Sequence, residues 1–459
     1  MMTISVIGCG YLGAVHAAAM ASLGHRVIAV DTDPHRIREL SAGRPPFHEP
    51  GFEEILHQGL RSGRLRFAVS GTEPELEQAK VHFLAVGTPQ SPVSGAADLT
   101  ALEAAVDDLA RVLRPELRPI VVGKSTVPVG TAQQLADRLE PLGAEVVWNP
   151  EFLREGHAVA DTLHPDRIVY GLSDDPERAA YAAGVLDEIH AELLAEAIPR
   201  ILTNRPTAEL VKMAANAFLA TKISFINTMA TMCDVTGGDV SVLAEAIGHD
   251  PRIGRRFLNA GIGFGGGCLP KDIRSLQTQA EELGVSQAVG FLREVDRINL
   301  ECRSRVVRLA EAVCPGGLAG TKVTVLGATF KPNSDDIRDS PALDVARRLV
   351  RAGALVRVCD PCGLPNVMRT HPDLAVATDL EKGLAGAELV VLATEWRQYL
   401  ELDPQWVGGL VARKIIVDGR NALDRDRWHR AGWVHVGMGR GDFMEEAIGA
   451  GVIGVGVRQ

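Results

Sequence analysis

Aromatic residues are scarce, at 5% of 459 positions, and no apolar run is long enough to span a bilayer. The chain opens without the charged stretch and short apolar segment of a secretory leader, so a cytoplasmic placement is expected. Positive charge is in deficit: the formal net charge is −10, and no long basic run occurs. That argues against nucleic acid or an anionic membrane as the main partner, and any anionic substrate must be held by local cations. Cysteine is sparse too. The seven, Cys9, Cys233, Cys268, Cys302, Cys314, Cys359 and Cys362, are odd in number and scattered, which fits reduced thiols rather than a disulfide framework. Cys359-Asp-Pro-Cys362 has redox spacing, but it ends a predicted strand instead of opening a helix. No metal-ligand set is expected. What remains, 46% hydrophobic and 23% charged residues, describes a soluble globular chain long enough for two or three domains.

Thr3-Ile-Ser-Val-Ile7 reads as a strand, Gly8-Cys-Gly-Tyr-Leu-Gly13 as a turn, and the alanine-rich stretch to about Leu23 as a helix. In such a turn Gly8 permits the bend, Gly10 lets a pyrophosphate approach, and Gly13 allows close helix packing. A second strand, Arg26 to Val30, ends in Asp31, 18 residues after Gly13, near the spacing of a carboxylate that holds a ribose 2′-hydroxyl. NAD is favoured over NADP, because Asp31 would repel a 2′-phosphate; Arg36 nearby works the other way. Val81–Val86 and Pro119–Gly123 read as buried parallel strands. Their carboxyl ends place Thr88 and Thr126 where a cofactor binds.

Val146-Val-Trp148 leads into Asn149-Pro-Glu-Phe-Leu-Arg-Glu-Gly156, where Glu151 and Glu155 would share a face if the segment is helical. From Pro206 to about Cys233, apolar Leu210, Met213, Ala214, Ala217 and Phe218 fit one long helix that also carries Lys212 and Asn216 a turn apart. A further helical stretch is expected around Glu281 to Ala312. The glycine-rich Cys314–Gly320 marks a boundary, after which strands at Lys322–Leu326, Leu355–Cys359, Leu389–Ala393 and Lys414–Asp418, with a helix from Ser340 to Arg351, repeat the opening pattern without its glycine fingerprint. The expected fold is α/β: two Rossmann-like doubly wound domains, 1–200 and 314–459, joined by a long central helical region, 201–313.

The chain is organised around Gly261-Ile-Gly-Phe-Gly-Gly-Gly-Cys-Leu-Pro-Lys-Asp272. Glycines give the thiol of Cys268 room, Lys271 favours its thiolate, and Asp272 adds a titratable carboxylate. This run, with Pro251-Arg-Ile-Gly254 upstream and motifs from Gly8 to Arg420, resembles the UDP-glucose/GDP-mannose dehydrogenase family over nearly the whole chain.

The resemblance implies NAD as cofactor and a nucleotide-sugar as substrate, UDP-glucose favoured, in a homodimer or higher homo-oligomer. It adds Tyr11, Leu12, Glu155, Lys271 and Arg338 to the cofactor contacts and puts Arg36 near the adenosine ribose. It assigns Cys268, Lys212, Asp272, Asn216, Glu151 and Thr126 to catalysis. Substrate contacts would be Glu151, Phe152, Leu153, Lys212, Asn216, Asn259, Phe264, Gly265, Cys268, Phe330, Lys331 and Arg420, together with Arg252 supplied by a neighbouring subunit.

A dehydrogenase that stops at a ketone needs no thiol, so a cysteine beside the cofactor argues for oxidation past the aldehyde to a carboxylate. Lys212 and Asn216 would stabilise the developing oxyanion, and Asp272 with Glu151 would handle water and protons. Which of the two is the base stays open. The same chemistry on GDP-mannose or dTDP-glucose is the nearest rival. A non-catalytic nucleotide-sugar sensor is a remoter one, having no need of Cys268, Lys212, Asn216 and Asp272 together.

Overall fold

Short apolar and β-branched runs become the strands of two sheets, seen in a computed structural model that describes residues 1–69, 73–91 and 95–441. The first sheet holds β1 (Thr3–Ile7), β2 (Arg26–Asp31), β3 (Leu65–Val69), β4 (Val81–Leu84), β5 (Ile120–Gly123), β6 (Glu145–Trp148), β7 (Ile168–Leu172) and β8 (Arg200–Asn204). Their order is β3-β2-β1-β4-β5-β6-β7-β8, parallel except for the β6–β7 pair. The second holds β9 (Lys322–Leu326), β10 (Leu355–Cys359), β11 (Ala375–Val376), β12 (Leu389–Leu392), β13 (Ile415–Asp418) and β14 (Val434–Gly437), all parallel, ordered β11-β10-β9-β12-β13-β14. Both sheets therefore reverse direction of winding beside their first strand, and ligands of such sheets bind beyond the carboxyl ends at that point.

The chain gathers into two compact units: Met1–Ala215 with Arg274–Gly284, and Asn216–Ile273 with the chain from Val285 onward. The central stretch expected as a region of its own is shared between them. Helix starts are strongly encoded. Asp33-Pro34, Asp175-Pro176, Ser340-Pro341 and Asp403-Pro404 each place a capping side chain just before a proline whose missing N–H costs the first turn nothing.

The two sheets repeat the same turn. Gly8 (φ +93°) donates its amide to the Val30 carbonyl at 2.8 Å, and Gly327 (φ +116°) donates to that of Cys359 at 2.7 Å. Asp31 then accepts from the Cys9 amide, and Asp360 from the Ala328 amide, each at 2.7 Å. Here the units diverge. Asp360 also accepts from Thr329, the Trp396 indole and the amides of Cys362 and Gly363, so its carboxylate is spent on its own fold. Cys359 ends β10, and burial pushes its thiol up to about 11; burial raises Cys362 as well. No cysteine among the described residues is in a disulfide.

The long helix, Arg205–Thr236, runs slightly past both expected ends, and its apolar residues divide: Met213 and Ala217 are buried, Leu210 and Phe218 exposed. Glu209, Lys212, Asn216 and Asn227 are buried, whereas Leu210, Phe218, Phe225, Met232 and Val235 are exposed. Glu209, Lys212 and Asn216 on the buried side are satisfied by ion pairs and hydrogen bonds, and Asn227 Oδ1 accepts from the Gly261 amide. The later helix, expected from about Glu281, runs Phe291–Val313, preceded by a short 3₁₀ turn at Ser286–Val289 and by the separate helix Leu269–Glu282. Among the described residues, no helix is long and apolar enough to cross a membrane.

Candidate active site

In the first unit, the turn after β1 suits a dinucleotide phosphate. Nothing stands within 4 Å of the Cβ position of Gly10, so its backbone is open to a ligand, while a Cβ on Gly13 would lie 1.8 Å from the Gly8 carbonyl oxygen. Asp31 lies at the end of β2, where Arg36 donates to its Oδ2 at 2.9 Å and the Asp33 amide to its Oδ1 at 2.9 Å. Arg36 is thus held beside Asp31 by that ion pair. Thr88 donates its hydroxyl to the Thr126 carbonyl at 2.7 Å, tying the loops after β4 and β5 together.

Tyr11, which opens the first helix (Tyr11–Ser22), hydrogen-bonds to Glu49 and accepts from the Gly156 amide at 2.9 Å. Burial and that carboxylate push its phenol up. Glu49 also accepts from the amides of Gly156 (2.6 Å) and Ala158 (2.8 Å), so this buried carboxylate joins the glycine turn to the loop after β6. That loop is not helical. From Asn149 to His157 the backbone is irregular, because Pro150 offers no N–H and the Glu151 side chain bonds the Leu153 amide (2.5 Å), an alternative to helix. Glu151 and Glu155 therefore share no helix face. Glu151 instead meets Lys212 at 3.0 Å, both nearly buried, and the Lys212 ammonium lies 5.8 Å from the Phe152 ring, over which the Arg167 guanidinium stacks at 3.6 Å. Leu153 packs against the first unit's core.

Lys124, beyond β5, was not singled out by sequence reasoning, yet it is buried with its ammonium on Asn149 Oδ1 at 2.8 Å. Burial pushes it down to about 8, partly opposed by the charge of Glu151. An unfolded chain keeps the proton on this lysine to its ordinary value of 10.5, so between those values the unfolded state binds more protons and stability rises with pH. Unfolding free energies of the native protein and Lys124→Met, compared across pH 7 to 10, are expected to converge or cross as the native protein gains up to about 1.4 kcal/mol per unit. A constant difference over that range would show that the buried ammonium carries no such cost.

In the second unit, Cys268 is exposed and directly precedes the helix Leu269–Glu282, its carbonyl accepting from the Asp272 amide at 2.9 Å. A thiol at a helix N-terminus meets peptide dipoles that favour a thiolate. One turn on, Asp272 is almost fully buried, accepting from Asn216 Nδ2 at 2.6 Å and pairing with Lys271 at 2.8 Å. The structure thus joins Asn216, Asp272 and Lys271 in one cluster. The loop glycines before Cys268 are needed for close packing. A Cβ on Gly265 would lie 2.2 Å from the Asp339 carbonyl, one on Gly266 2.8 Å from the Phe330 ring, and one on Gly267 2.4 Å from the Arg338 guanidinium.

Phe330 therefore lies on the thiol loop, with the Lys331 ammonium 5.4 Å from its ring, and Arg338 is held by Asp336 beside Gly267. The Arg420 guanidinium donates to the carbonyls of Ala393 (2.8 Å), Gly263 (3.1 Å) and Phe330 (3.1 Å) and pairs with Glu395. Phe264 is buried, Asn259 accepts from Arg255, and Arg252 is a surface residue, its side chain 87% exposed and paired with Asp250.

Models of the NAD binding domain, the central domain and the UDP binding domain of one family match residues 2–194, 206–301 and 324–425. The chain belongs to the UDP-glucose/GDP-mannose dehydrogenase family. A UDP-glucose 6-dehydrogenase of Rhizobium meliloti is 38% identical over 445 residues, 96% of this chain and all of that protein. A UDP-glucose dehydrogenase structure from Pyrobaculum islandicum superposes with a TM-score of 0.85 at 40% identity, covering 96% of this chain and 98% of that one. A UDP-D-ManNAc dehydrogenase structure from Pyrococcus horikoshii gives 0.81 at 28%, covering 96% and 100%.

For a member of the UDP-glucose/GDP-mannose dehydrogenase family, NAD is the cofactor, and the open Gly10 backbone and Asp31 are the groups here that fit it. Sequence reasoning passed over Glu49, Lys124, Asn299 and Arg303. Glu49 follows Pro45-Pro46-Phe47, a loop without periodicity, Lys124 follows an apolar strand in a loop, and Asn299 and Arg303 sit among ordinary charged positions, so only burial reveals them.

Proposed function

We propose that the protein oxidises the C6 hydroxyl of UDP-glucose to the carboxylate of UDP-glucuronate, using NAD, with Cys268 as a covalent nucleophile. The observation that carries this is an exposed cysteine at a helix N-terminus, one turn before a buried Asp272 that is paired with Asn216 and Lys271. NAD, when bound, supplies the acceptor for both oxidations. Sγ of Cys268 adds to the C6 aldehyde to form a thiohemiacetal, whose oxidation gives a thioester; hydrolysis then releases the carboxylate and returns the thiol. Lys212 and Asn216 stabilise the oxyanion as fixed donors, and Asp272 and Glu151 hold the water and take its proton. Thr88 and Thr126 line the cofactor side, and Phe330 and Lys331 the nucleotide side. The test is a panel of UDP-glucose, GDP-mannose, dTDP-glucose and UDP-N-acetylmannosamine assayed for NADH. Two NADH per UDP-glucose are expected; a ratio of one, with aldehyde as product, would sink the four-electron mechanism, and a preference within the panel for another sugar would move the substrate but not the chemistry.

The protein is further read as a cytoplasmic homodimer or larger homo-oligomer. Phe218, Phe225 and Met232 recur every seven residues on the exposed side of the long helix, with Val235 beside them, the spacing of a helix seam. Arg252, exposed and paired with Asp250 on its own loop, suits completion of a neighbour's site. If so, mixing Arg252→Ala with Cys268→Ser restores activity in hybrid dimers; no recovery despite proven subunit exchange would return Arg252 to its own chain.

A further inference from the structure

Two buried side chains on the helix Phe291–Val313 grip the thiol loop. Asn299 accepts from the Phe264 amide at 2.7 Å and donates to its carbonyl at 3.0 Å, holding the backbone on both sides of one residue. Arg303, 3% exposed, reaches further. Its Nη2 donates to the Phe264 carbonyl at 3.3 Å and the Asp339 carbonyl at 3.5 Å and pairs with Asp339 Oδ1 at 3.0 Å, while Nη1 pairs with Asp344 at 3.3 Å. One guanidinium thus spans the loop that ends in Cys268 and the loop that carries Phe330, Lys331 and Arg338. Asp339 is held there with φ +46°, a backbone that side-chain-bearing residues adopt at a cost unless their surroundings enforce it. The Gly266 amide adds a bond to the Arg338 carbonyl at 2.9 Å.

We propose that Arg303 is a positioning residue that makes these two loops one rigid block, so that a nucleotide held on the 327–341 loop sets the presentation of the Cys268 thiol. The proposal rests on the reading above, in which Cys268 attacks the sugar and the second unit's loop takes the UDP. A planar fork can hold two carbonyls and a carboxylate at once, which no other side chain does as well. Without it, Asp339 relaxes from its strained backbone and the two loops keep the Gly266–Arg338 bond and the Arg420 contacts to Gly263 and Phe330, which leaves Arg338 freer to shift against Gly267.

The probe is UDP, which lacks the hexose and so cannot cover Cys268 with sugar. Alkylation of Cys268 by iodoacetamide is followed by peptide mass with and without saturating UDP. In the native protein UDP is expected to change the rate by about fivefold or more, the scale of a coupling between two sites. In Arg303→Met that change disappears while UDP still binds within about tenfold of native affinity by calorimetry. Turnover falls about 100-fold with the KM for NAD within about twofold, as for a misplaced reacting group. Arg303→Lys, which keeps the charge but not the fork, serves if the methionine variant does not fold, and loses the coupling too. A variant that keeps the UDP effect, a native protein that shows none, or a variant whose UDP affinity collapses would each overturn the proposal. Normal turnover by Cys268→Ser would defeat the nucleophile reading alone and leave the alkylation comparison intact.

Discussion

Cys268→Ser is expected to lose turnover by orders of magnitude while still binding NAD and nucleotide-sugar. The helix N-terminus that favours a thiolate does little for an alcohol, whose proton must be removed by a base, and the nearby Asp272 already serves Asn216 and Lys271. An ester formed at serine would also hydrolyse more slowly than a thioester. Incubation with UDP-glucose and NAD followed by intact mass is expected to show either a retained sugar adduct or oxidation arrested at the aldehyde. Cys268 is the exposed cysteine of the seven, so an adduct on the native protein maps to one peptide. Near-normal formation of carboxylate would reject the nucleophile and leave the glycine loop as packing alone.

The architecture was readable because its signals are local. A β-branched run, a glycine turn and a terminal acid encode β1 to β2 within 31 residues, and Asp-Pro or Ser-Pro pairs announce helix starts. β3, β7, β8, β11 and β14 were not anticipated: β8, for one, is exposed along most of its length and pairs only at the sheet edge. The thiol loop was legible as chemistry, since no ordinary turn needs so many glycines, but not as packing. That Gly265, Gly266 and Gly267 are small because Asp339, Phe330 and Arg338 press on them depends on residues some 70 positions away. Arg303 and Asn299 escaped for the same reason, as does any polar side chain whose work is to hold a distant backbone. The long helix is a mixed case: of its apolar spacing Met213 and Ala217 are buried while Leu210 and Phe218 stay exposed, and a hydrophobic stripe reports what a helix packs against and not whether that partner belongs to the same chain.

Removing the Lys212 ammonium is expected to be nearly as costly as removing the thiol. Lys212→Met keeps the length and apolar stem of the side chain but leaves the nearly buried Glu151 without its cation, so stability is expected to fall. Turnover is another matter. A fixed donor aimed at a developing oxyanion is worth about 10²–10³-fold in rate, and the methionine offers none. The loss is expected in kcat with little change in the KM for UDP-glucose, since the charge it answers exists only in the transition state. Glu151→Gln separates the pair: if Glu151 acts partly by holding Lys212, as their 3.0 Å contact suggests, the double variant is little slower than Lys212→Met alone. Fully multiplicative losses would mean that the two side chains serve different steps and that the ion pair is incidental. A Lys212→Met enzyme within tenfold of native turnover would remove lysine from the chemistry and leave Asn216, one helical turn away, as the sole donor proposed for the oxyanion.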